Sequence, residues 1–519
     1  MNVAALLAST ATRHPDRAAL VHASGRASYS VLTERVARLA TGLRERLEPR
    51  SRVMLMMNNG PEFVAALWAA FWAGMVAVPV NRHLHAREAA YVADHAAAGL
   101  VIYDQHTRET VTASGILGGT LGVEAASPAW TELAAARPAP VADVRPDDPA
   151  WLFYTSGTTG RPKGATLTHR NLMAMTLNYY ADIDPVGPDT VYLHAAPLSH
   201  GSGLYLLPSV GHGATNVIAD GESFDPVAFL ALADEHAATH AAFLAPTMLR
   251  RLTDAAQAAG RSPATLRHIM VGGAALYEQD LADAIAAFGP VVAQMYGQGE
   301  SPMTIAFMPP ELLTERDAED SNWRSCGRPF TGIEVRIGDG PTPGEGEILV
   351  RGDVVMAGYW NDPEATARTV TDGWLATGDV GRFDARGFLY LTDRSKDVII
   401  SGGSNIYPRE VEEALLLHPG VHEAVVVGVP DPSWGESVRA YVVPAEGAPP
   451  PSEAELIEHC RSRIASLGSR SRSCSSGSCP RARTARCCAA SCGRRRRASA
   501  GRGQRCRTGT PPRCSTGAR

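Results

Sequence analysis

The sequence predicts an α/β protein: a large N-terminal domain of α/β layers with a small β subdomain, then a small α+β domain. Three observations lead to this fold class. The length of 519 residues exceeds what one hydrophobic core usually supports, short apolar segments alternate with Ala-rich helical ones, and the pattern becomes strand-rich from residue 345. Together they indicate two or three domains.

The elements of the N-terminal half follow from apolar segments of strand and helix length. A strand is predicted at 53–57, an apolar helix at 61–74, and further strands at 76–80 and 100–103. The same alternation continues through Val292, which indicates βα units around a largely parallel sheet.

Shorter strands mark the second half. Strands at 345–350 and 388–392 predict the small β subdomain, and a compact α+β unit follows Lys396. That unit is predicted to contain strands at 398–401, 423–429 and 438–444 and helices at 408–418 and 452–465. The predicted domains are therefore an N-terminal domain at 1–393 and a C-terminal domain at 398–467, joined by residues 394–397.

The segment 468–519 differs in composition from everything before it. It holds 14 of the 49 Lys and Arg residues, none of the 54 acids and no Leu, Ile, Val, Met or aromatic residue, so residues 1–467 carry a formal charge of −19. Such a segment lacks the side chains of a core, and we expect it to be disordered. Its origin could be a frameshifted reading of a GC-rich gene, a natural basic extension, or an appendix that binds nucleic acid or membrane. The abrupt change after Leu467, inside a domain that should continue, favours the frameshift.

Cysteine usage and hydropathy argue against secreted and membrane-spanning classes. Only Cys326 and Cys460 precede residue 468, no run of 18 apolar residues occurs, and residues 1–14 lack the basic segment of a secretory signal. A cytoplasmic location is therefore expected. The tail cysteines lack accompanying His residues and zinc-site spacing; they are Cys474, Cys479, Cys487, Cys488, Cys492, Cys506 and Cys514.

The strongest motif is a loop rich in glycine and hydroxyl residues, Tyr154-Thr-Ser-Gly-Thr-Thr-Gly-Arg-Pro-Lys-Gly164, which follows the apolar segment 150–153. Glycines let backbone N–H groups approach phosphate oxygens, while hydroxyls and a lysine add donors and charge. The spacing is not that of P-loop NTPases. The loop predicts a phosphate site made by Thr155, Ser156, Gly157, Thr158, Thr159, Gly160 and Lys163.

With five further motifs in the same order, residues 1 to about 467 resemble the adenylate-forming superfamily of acyl-CoA synthetases, aryl-CoA ligases, luciferases and peptide-synthetase adenylation domains. The motifs are Gly272-Gly-Ala-Ala-Leu276, Gln294-Met-Tyr-Gly-Gln-Gly-Glu300, Trp374-Leu-Ala-Thr-Gly-Asp379, and the pair Asp393-Arg-Ser-Lys-Asp397 and Ile400-Ser-Gly-Gly-Ser-Asn-Ile-Tyr-Pro-Arg-Glu-Val-Glu412.

The resemblance implies a reaction in which a carboxylate attacks the α-phosphate of ATP and pyrophosphate leaves. Positioning and charge neutralisation dominate such a step. Thr155 and Glu300 are implied as the ligands of Mg²⁺, and oxygen donors suit that ion. The implied catalytic residues are Lys163, Thr155, Glu300 and His200, of which His200 lies in Pro197-Leu-Ser-His-Gly-Ser-Gly203 and lines the carboxylate pocket.

The resemblance also implies the nucleoside and thiol contacts. Tyr296 would stack on adenine, Asp379 would accept hydrogen bonds from both ribose hydroxyls, and Arg394 would reach the ribose from the other side. Gly273, Ala274, Ala275 and Gly297 would border the nucleotide. Lys396 would be the hinge between two orientations of the C-terminal domain, and the Ser401-Gly402-Gly403 loop would approach the coenzyme A channel.

Three departures from the family pattern bear on activity. Gly299 replaces a usual hydroxyl residue, with Ser301 as a nearby substitute, and Asp393 replaces a usual glycine. The largest departure is that no lysine follows Lys396, whereas the family carries a lysine near its C-terminus that enters the active site during adenylation. Loss of one such donor costs roughly 10²- to 10³-fold in rate.

The expected function is an ATP-dependent carboxylate–CoA ligase, an AMP-forming acyl-CoA synthetase with impaired adenylation. Its partners would be ATP, Mg²⁺, coenzyme A and a small carboxylic acid, with no specific nucleic acid. Two alternatives stay open: an acyl-AMP ligase that loads a carrier-protein thiol, and a non-catalytic protein that binds ATP or acyl-adenylate. The identity of the acid and the oligomeric state do not follow from the sequence.

Overall fold

The computed structural model describes residues 1–155, 161–221, 223–340, 343–394, 399–401, 404–431, 435–445 and 449–463. The chain divides into two compact units, Met1–Val398 and Ile399–Arg519. The expected hinge residue Lys396 and the tail at 468–519 lie outside the described residues.

The strands of the first unit are short and numerous, and they are numbered here in chain order. They are β1 (Ala18–His22), β2 (Gly25–Ser28), β3 (Arg52–Met56), β4 (Val76–Pro79), β5 (Ala98–Tyr103), β6 (Leu121–Glu124), β7 (Pro149–Thr155), β8 (Lys163–Thr168), β9 (Val191–His194), β10 (Thr215–Ile218), β11 (His240–Leu244), β12 (His268–Val271), β13 (Val292–Tyr296), β14 (Ala306–Met308), β15 (Ser325–Pro329), β16 (Glu334–Ile337), β17 (Glu345–Arg351), β18 (Val370–Thr371), β19 (Trp374–Phe383) and β20 (Leu389–Arg394).

Helices connect most of these strands, as the predicted βα alternation requires. They are α1 (Ala5–Arg13), α2 (Tyr29–Arg44), α3 (Pro61–Ala73), α4 (Ala86–Ala96), α5 (Arg108–Ala113), α6 (Pro128–Leu133), α7 (His169–Asp182), α8 (Gly201–Leu204), α9 (Leu206–Gly211), α10 (Pro226–Glu235), α11 (Pro246–Ala259), α12 (Glu278–Phe288) and α13 (Pro363–Thr369), with single 3-10 turns at Ile116–Gly118 and Pro310–Leu312.

Two sheets organise the first unit. The six-stranded sheet has the order β6-β5-β3-β4-β7-β8, and only its β7–β8 pair is antiparallel. The large sheet has the order β16-β17-β19-β20-β15-β14-β13-β12-β11-β9-β10-β1-β2, with β18 paired to β19. On one side of β13, each neighbouring pair through β12, β11, β9 and β10 to β1 is parallel. On the other side, each neighbouring pair through β14, β15, β20, β19 and β17 to β16 is antiparallel, so the expected β subdomain is this antiparallel end of the sheet.

Helix α3 lies in the centre of the core. It contacts α2, β3 and β4, and all of its residues except Glu62 are buried. A helix that is apolar on every side must be covered on every side, because it has no polar face to present to solvent. Pro61 at the first helical position and Gly74 in a left-handed conformation (φ 70°) set its two ends, as the sequence predicted.

The second unit is a small α+β domain. It contains β21 (Ile399–Ser401), β22 (Ser404–Ile406), α14 (Pro408–Leu416), β23 (Val421–Asp431), β24 (Gly435–Pro444) and α15 (Glu453–Arg461). The four strands form one antiparallel sheet in the order β22-β21-β24-β23. The fold class predicted from the sequence, a large α/β domain and a smaller α+β domain, is confirmed. Within the described residues of both units, no helix combines the length and apolar character that a membrane span needs.

Candidate active site

The two ends of the predicted phosphate loop are held together by backbone pairing. Strands β7 and β8 form an antiparallel pair that closes with Thr155 opposite Lys163. The loop between them begins and ends at the same edge of the six-stranded sheet. The predicted contacts Ser156, Gly157, Thr158, Thr159 and Gly160 lie outside the described residues.

The structure brings together the two residues expected to bind Mg²⁺, although 145 positions separate them in the chain. The Thr155 hydroxyl donates to Glu300 Oε1 over 3.2 Å, and the Tyr359 hydroxyl donates to the same oxygen over 2.8 Å. No described residue donates a hydrogen bond to Glu300 Oε2. A half-buried carboxylate oriented through one oxygen, with a hydroxyl oxygen beside it, is a donor set that suits a hard divalent cation.

Tyr359 is a member of this cluster that the sequence motifs missed. The Lys163 ammonium lies 4.9 Å from the centre of its ring, within the range of a cation–π contact. Burial and then the charge of Glu300 raise the pKa of the Tyr359 hydroxyl above its ordinary value, so the hydroxyl stays protonated and donates. Residues around Gly164 hold it in place: Ala165 forms a β-bridge with Tyr359, and Trp360 N–H donates to Gly164 O over 2.8 Å.

A second cluster of site residues surrounds Asp379, which lies on strand β19. Its Oδ2 accepts hydrogen bonds from the Tyr296 hydroxyl over 2.8 Å and from Gln298 Nε2 over 2.6 Å. Gln298 is thus a second residue that the motifs did not single out. Asp379 pairs across the strands with Arg394, so the two residues expected at the ribose are neighbours in register. Burial and the nearby Asp379 raise the pKa of Tyr296, and stacking of its ring on adenine stays a prediction.

Glycines allow close backbone approach where the nucleotide is expected. A Cβ on Gly297 would lie 2.6 Å from the backbone nitrogen of Met303, and one on Gly272 would lie 2.8 Å from Met295 O. Gly273 follows with φ +80°, a conformation that favours glycine. Gly273 and Ala274 are exposed and Ala275 is half-buried, so this segment is accessible to a ligand.

His200 immediately precedes the short helix α8 and lies beside aromatic side chains. Its ring centre is 5.9 Å from that of Phe153 in an edge-to-face arrangement, and Ser199 Oγ lies 3.2 Å from its Nδ1. Burial lowers the pKa of His200, so the neutral imidazole is favoured at neutral pH. A Cβ on either Gly201 or Gly273 would lie 3.1 Å from the ring of Phe243, which therefore packs against both loops. The motifs missed Phe243 because it lies inside a strand.

Space around Gly299 explains one departure from the family pattern. A Cβ there would lie 2.5 Å from Thr155 Cγ2 and 2.8 Å from Phe153 Cδ1. The Ser301 hydroxyl, expected as a substitute, is fully buried and has no hydrogen-bond partner among the described residues. Gly402 and Gly403 lie outside the described residues, and for Arg394 and Ser401 only the strand placement is described.

Comparison with known proteins gives a consistent result. Residues 7–360 match the family described as AMP-binding enzyme, and residues 410–475 match the AMP-binding enzyme C-terminal domain. A feruloyl-CoA synthase from an Amycolatopsis species is 38% identical over 459 residues, which is 87% of this chain and 90% of that protein. The 2-succinylbenzoate–CoA ligase of Bacillus licheniformis is 36% identical over 462 residues, 87% of this chain and 91% of that protein.

Solved structures show the same similarity. The amide bond synthetase McbA from Marinactinospora thermotolerans superimposes with a TM-score of 0.81 at 30% identity, covering 90% of this chain and 94% of that one. The match to the C-terminal domain ends at residue 475, beyond Leu467, so the change in composition falls inside the matched domain.

Proposed function

We propose that this chain, which belongs to the AMP-binding enzyme family, is an AMP-forming acid–thiol ligase that joins a small carboxylic acid to coenzyme A. The reaction uses ATP and Mg²⁺. The observation that carries the assignment of residues is the cluster of Thr155, Glu300, Tyr359 and Lys163 at the end of the β7–β8 pair, where a carboxylate, two hydroxyls and an ammonium converge.

In the first half-reaction, an oxygen of the acid attacks the α-phosphorus of ATP, the bond from that phosphorus to the bridging oxygen breaks, and pyrophosphate leaves. The Glu300 carboxylate and the Thr155 hydroxyl would hold Mg²⁺, which supplies positive charge to the phosphate oxygens. Lys163 adds a compact positive charge beside the same loop. Asp379 would accept hydrogen bonds from the ribose, a role that suits an acceptor-only side chain.

In the second half-reaction, the sulfur of coenzyme A attacks the acyl carbon, the mixed anhydride bond breaks, and AMP leaves. His200 would border the acyl group. Burial lowers its pKa and favours the neutral imidazole, so His200 would add no positive charge beside the thiol. Phe153 and Phe243 give the surroundings of His200 an aromatic character, which favours an acid with an apolar body.

We also propose that adenylation is the impaired step. No lysine follows Lys396 in this chain, so the acid and the α-phosphate would meet without the ammonium that offsets their mutual repulsion. The expected loss is roughly 10²- to 10³-fold for the first half-reaction, since one preorganised donor is missing. Thioester formation from a ready-made acyl-adenylate does not need that lysine and should be less affected. The frameshift remains our interpretation of the tail.

Separate assays of the two half-reactions test these proposals. ATP–pyrophosphate exchange over a panel of carboxylic acids measures adenylation, and addition of a synthetic acyl-adenylate with coenzyme A measures thioester formation. We expect weak exchange, clear thioester formation, and a further loss of exchange in Lys163→Ala. Arg161→Ala is the matched control, because Arg161 is an exposed cation at the same loop end that lies over Tyr91, 5.8 Å from the ring centre.

The acceptor and the tail need their own controls. Offering a carrier-protein thiol or an amine in place of coenzyme A distinguishes the ligase from the alternative that loads a carrier and from an amide-forming enzyme. Binding of ATP with neither half-reaction would favour the non-catalytic alternative. Translating the other reading frames beyond codon 467 should reveal a Gly-Lys continuation, and fusing it to residues 1–467 should raise exchange about 10²-fold or more; a frame without such a segment would refute the frameshift.

A further inference from the structure

Two imidazoles and a carboxylate meet at the amino-terminal ends of two interior strands of the large sheet, a place that the proposed reaction does not use. His240 is the first residue of β11, His268 is the first residue of β12, and the two are directly paired in the parallel register. Asp184 follows the end of helix α7. Gly272 and Gly273 lie at the opposite, carboxyl end of β12, so these three residues are separate from the expected nucleotide site.

The distances among the three side chains fit one coordinated ion. Asp184 Oδ2 lies 3.1 Å from His240 Nε2 and 3.9 Å from His268 Nε2, and one ligand atom from each residue falls within 4.8 Å of the others. Two ligands at about 2.0–2.1 Å from a tetrahedral zinc ion stand roughly 3.3 Å apart, which the two measured distances bracket. The imidazole centres are 5.0 Å apart.

The hydrogen bonding leaves these ligand atoms available. His240 is completely buried, and its Nδ1 is 2.8 Å from Thr239 Oγ1. The Thr239 hydroxyl therefore orients the imidazole ring with Nε2 toward Asp184. Although His240 Nε2 is close to the carboxylate, no described residue forms an aligned hydrogen bond with it. An inward-facing buried nitrogen without an aligned partner is costly unless something binds it.

The surrounding charges are mixed. Burial raises the pKa of Asp184, but the nearby imidazole of His240 and then the charges of His268 and Arg267 outweigh that effect, so its pKa is lowered and it stays ionised. Burial and then His240 lower the pKa of His268, while Asp184 and Glu311 act in the opposite direction. The Asp184 carboxylate favours an added cation, whereas the charge of Arg267 opposes one.

We propose that Asp184, His240 and His268 form a binding site for Zn²⁺. Two imidazole nitrogens favour zinc over Mg²⁺, which prefers all-oxygen surroundings. Asp184 and His268 are partly exposed, so solvent can supply a fourth ligand. Zinc here would join the start of β11 and of β12 to the chain that follows α7. Its role is to stabilise the first unit at the amino-terminal ends of these strands, away from the expected nucleotide site.

The test is zinc titration of the full chain in which the seven tail cysteines are replaced by serine, because thiols would compete for the metal. After chelator treatment we expect calorimetry to give one Zn²⁺ per chain and Co²⁺ substitution to give the visible spectrum of a tetrahedral site. Asp184→Asn and His268→Gln should each weaken binding at least about 100-fold, since even partners of ligands are worth 10–100-fold. Zinc should also raise Tm in the parent but not in these variants.

Two controls make the result specific. His418 and His459 form another imidazole pair, with ring centres 4.9 Å apart, so His418→Ala should leave zinc binding unchanged. Glu300→Gln removes the expected Mg²⁺ ligand and should also leave it unchanged. Circular dichroism checks that each variant is folded. Absence of a one-to-one site in the parent, or an unchanged affinity in both folded Asp184→Asn and His268→Gln, would overturn the proposal.

Discussion

Restoring a hydroxyl at position 299 should weaken the nucleotide site, even though the family usually has one there. A Cβ on Gly299 would lie 2.5 Å from Thr155 Cγ2 and 2.8 Å from Phe153 Cδ1, where ordinary contacts begin at 3.4 Å. Relief requires Thr155 to move, and Thr155 donates to Glu300 over 3.2 Å. Gly299→Ser therefore disturbs the two residues expected to hold Mg²⁺.

The size of the effect follows from two opposing contributions. Overpacking of this kind costs about 1–3 kcal/mol, while a new hydrogen bond to a charged phosphate could return about 1.5–3 kcal/mol only if the hydroxyl reached it. Because the shift of Thr155 also removes an existing contact, we expect the cost to dominate. Binding of Mg²⁺·ATP should weaken by about 5- to 150-fold in Gly299→Ser, as 1.4 kcal/mol corresponds to a factor of ten.

Calorimetry of Mg²⁺·ATP binding measures this effect without depending on turnover. Gly299→Ala separates the steric cost from the hydroxyl and should lose at least as much affinity as Gly299→Ser. Thr155→Ser keeps the hydroxyl but deletes the clashing methyl group, so the double variant Thr155→Ser/Gly299→Ser should recover part of the loss. The contact with Phe153 limits that recovery. Equal or tighter binding by Gly299→Ser would refute the steric reasoning.

Three further predictions follow from the structure. Tyr359→Phe keeps the ring but removes the donor to Glu300 Oε1, and it should raise the Mg²⁺ concentration for half-maximal exchange about 3- to 10-fold, from a partly exposed hydrogen bond of about 1 kcal/mol. Burial lowers the pKa of His169 and of His194 to about 4 from an ordinary 6.5. As the pH falls, the unfolded chain therefore binds protons before the folded chain does, and the free energy of unfolding should fall between pH 6.5 and 4 by up to about 1.4 kcal/mol per pH unit for each residue. Urea denaturation measures this fall. Phe243→Ala should shift acid preference in the exchange assay toward bulkier acids, because this ring packs against two glycine loops.

Each of these outcomes has a contrary result. An unchanged Mg²⁺ requirement in Tyr359→Phe would mean that the hydroxyl does not orient Glu300. Stability that is flat from pH 6.5 to 4, or that does not become flatter in His194→Asn, would contradict the burial argument. An unchanged acid preference in Phe243→Ala would assign Phe243 no role in acid selection.

The sequence predicted best those elements whose ends are set by local chemistry. Helix α3 was expected at 61–74 and spans Pro61–Ala73, since a proline and a glycine mark its ends. Strands β23 and β24 were expected at 423–429 and 438–444 but form a longer hairpin, because Pro430 is tolerated at the edge of the sheet, where β23 lies. The last helix was expected to reach 465, whereas α15 ends at Arg461.

The site was predictable where a motif carries its own backbone geometry, and not where distant segments meet. The phosphate loop after residues 150–153, Glu300 and Asp379 could be recognised because each lies in a motif of glycines and polar residues. Tyr359 joins the site through its bridge to Ala165, nearly two hundred positions earlier, and no local pattern records such a pairing. The available sequence signal was a glycine, Gly358, followed by two aromatic residues, Tyr359 and Trp360.

The positions of Thr155 and Glu300, the expected Mg²⁺ ligands, likewise depend on tertiary packing. Thr155 ends a strand of the six-stranded sheet, whereas Glu300 follows β13 of the large sheet, so their hydrogen bond joins two separately built layers. The layers can approach this closely only because position 299 has no side chain between them. A hydroxyl residue at that position would displace the side chains of Thr155 and Phe153. The departure at Gly299 is therefore a consequence of how this chain brings Thr155 and Glu300 together, and any compensating change must be sought at Thr155 and Phe153.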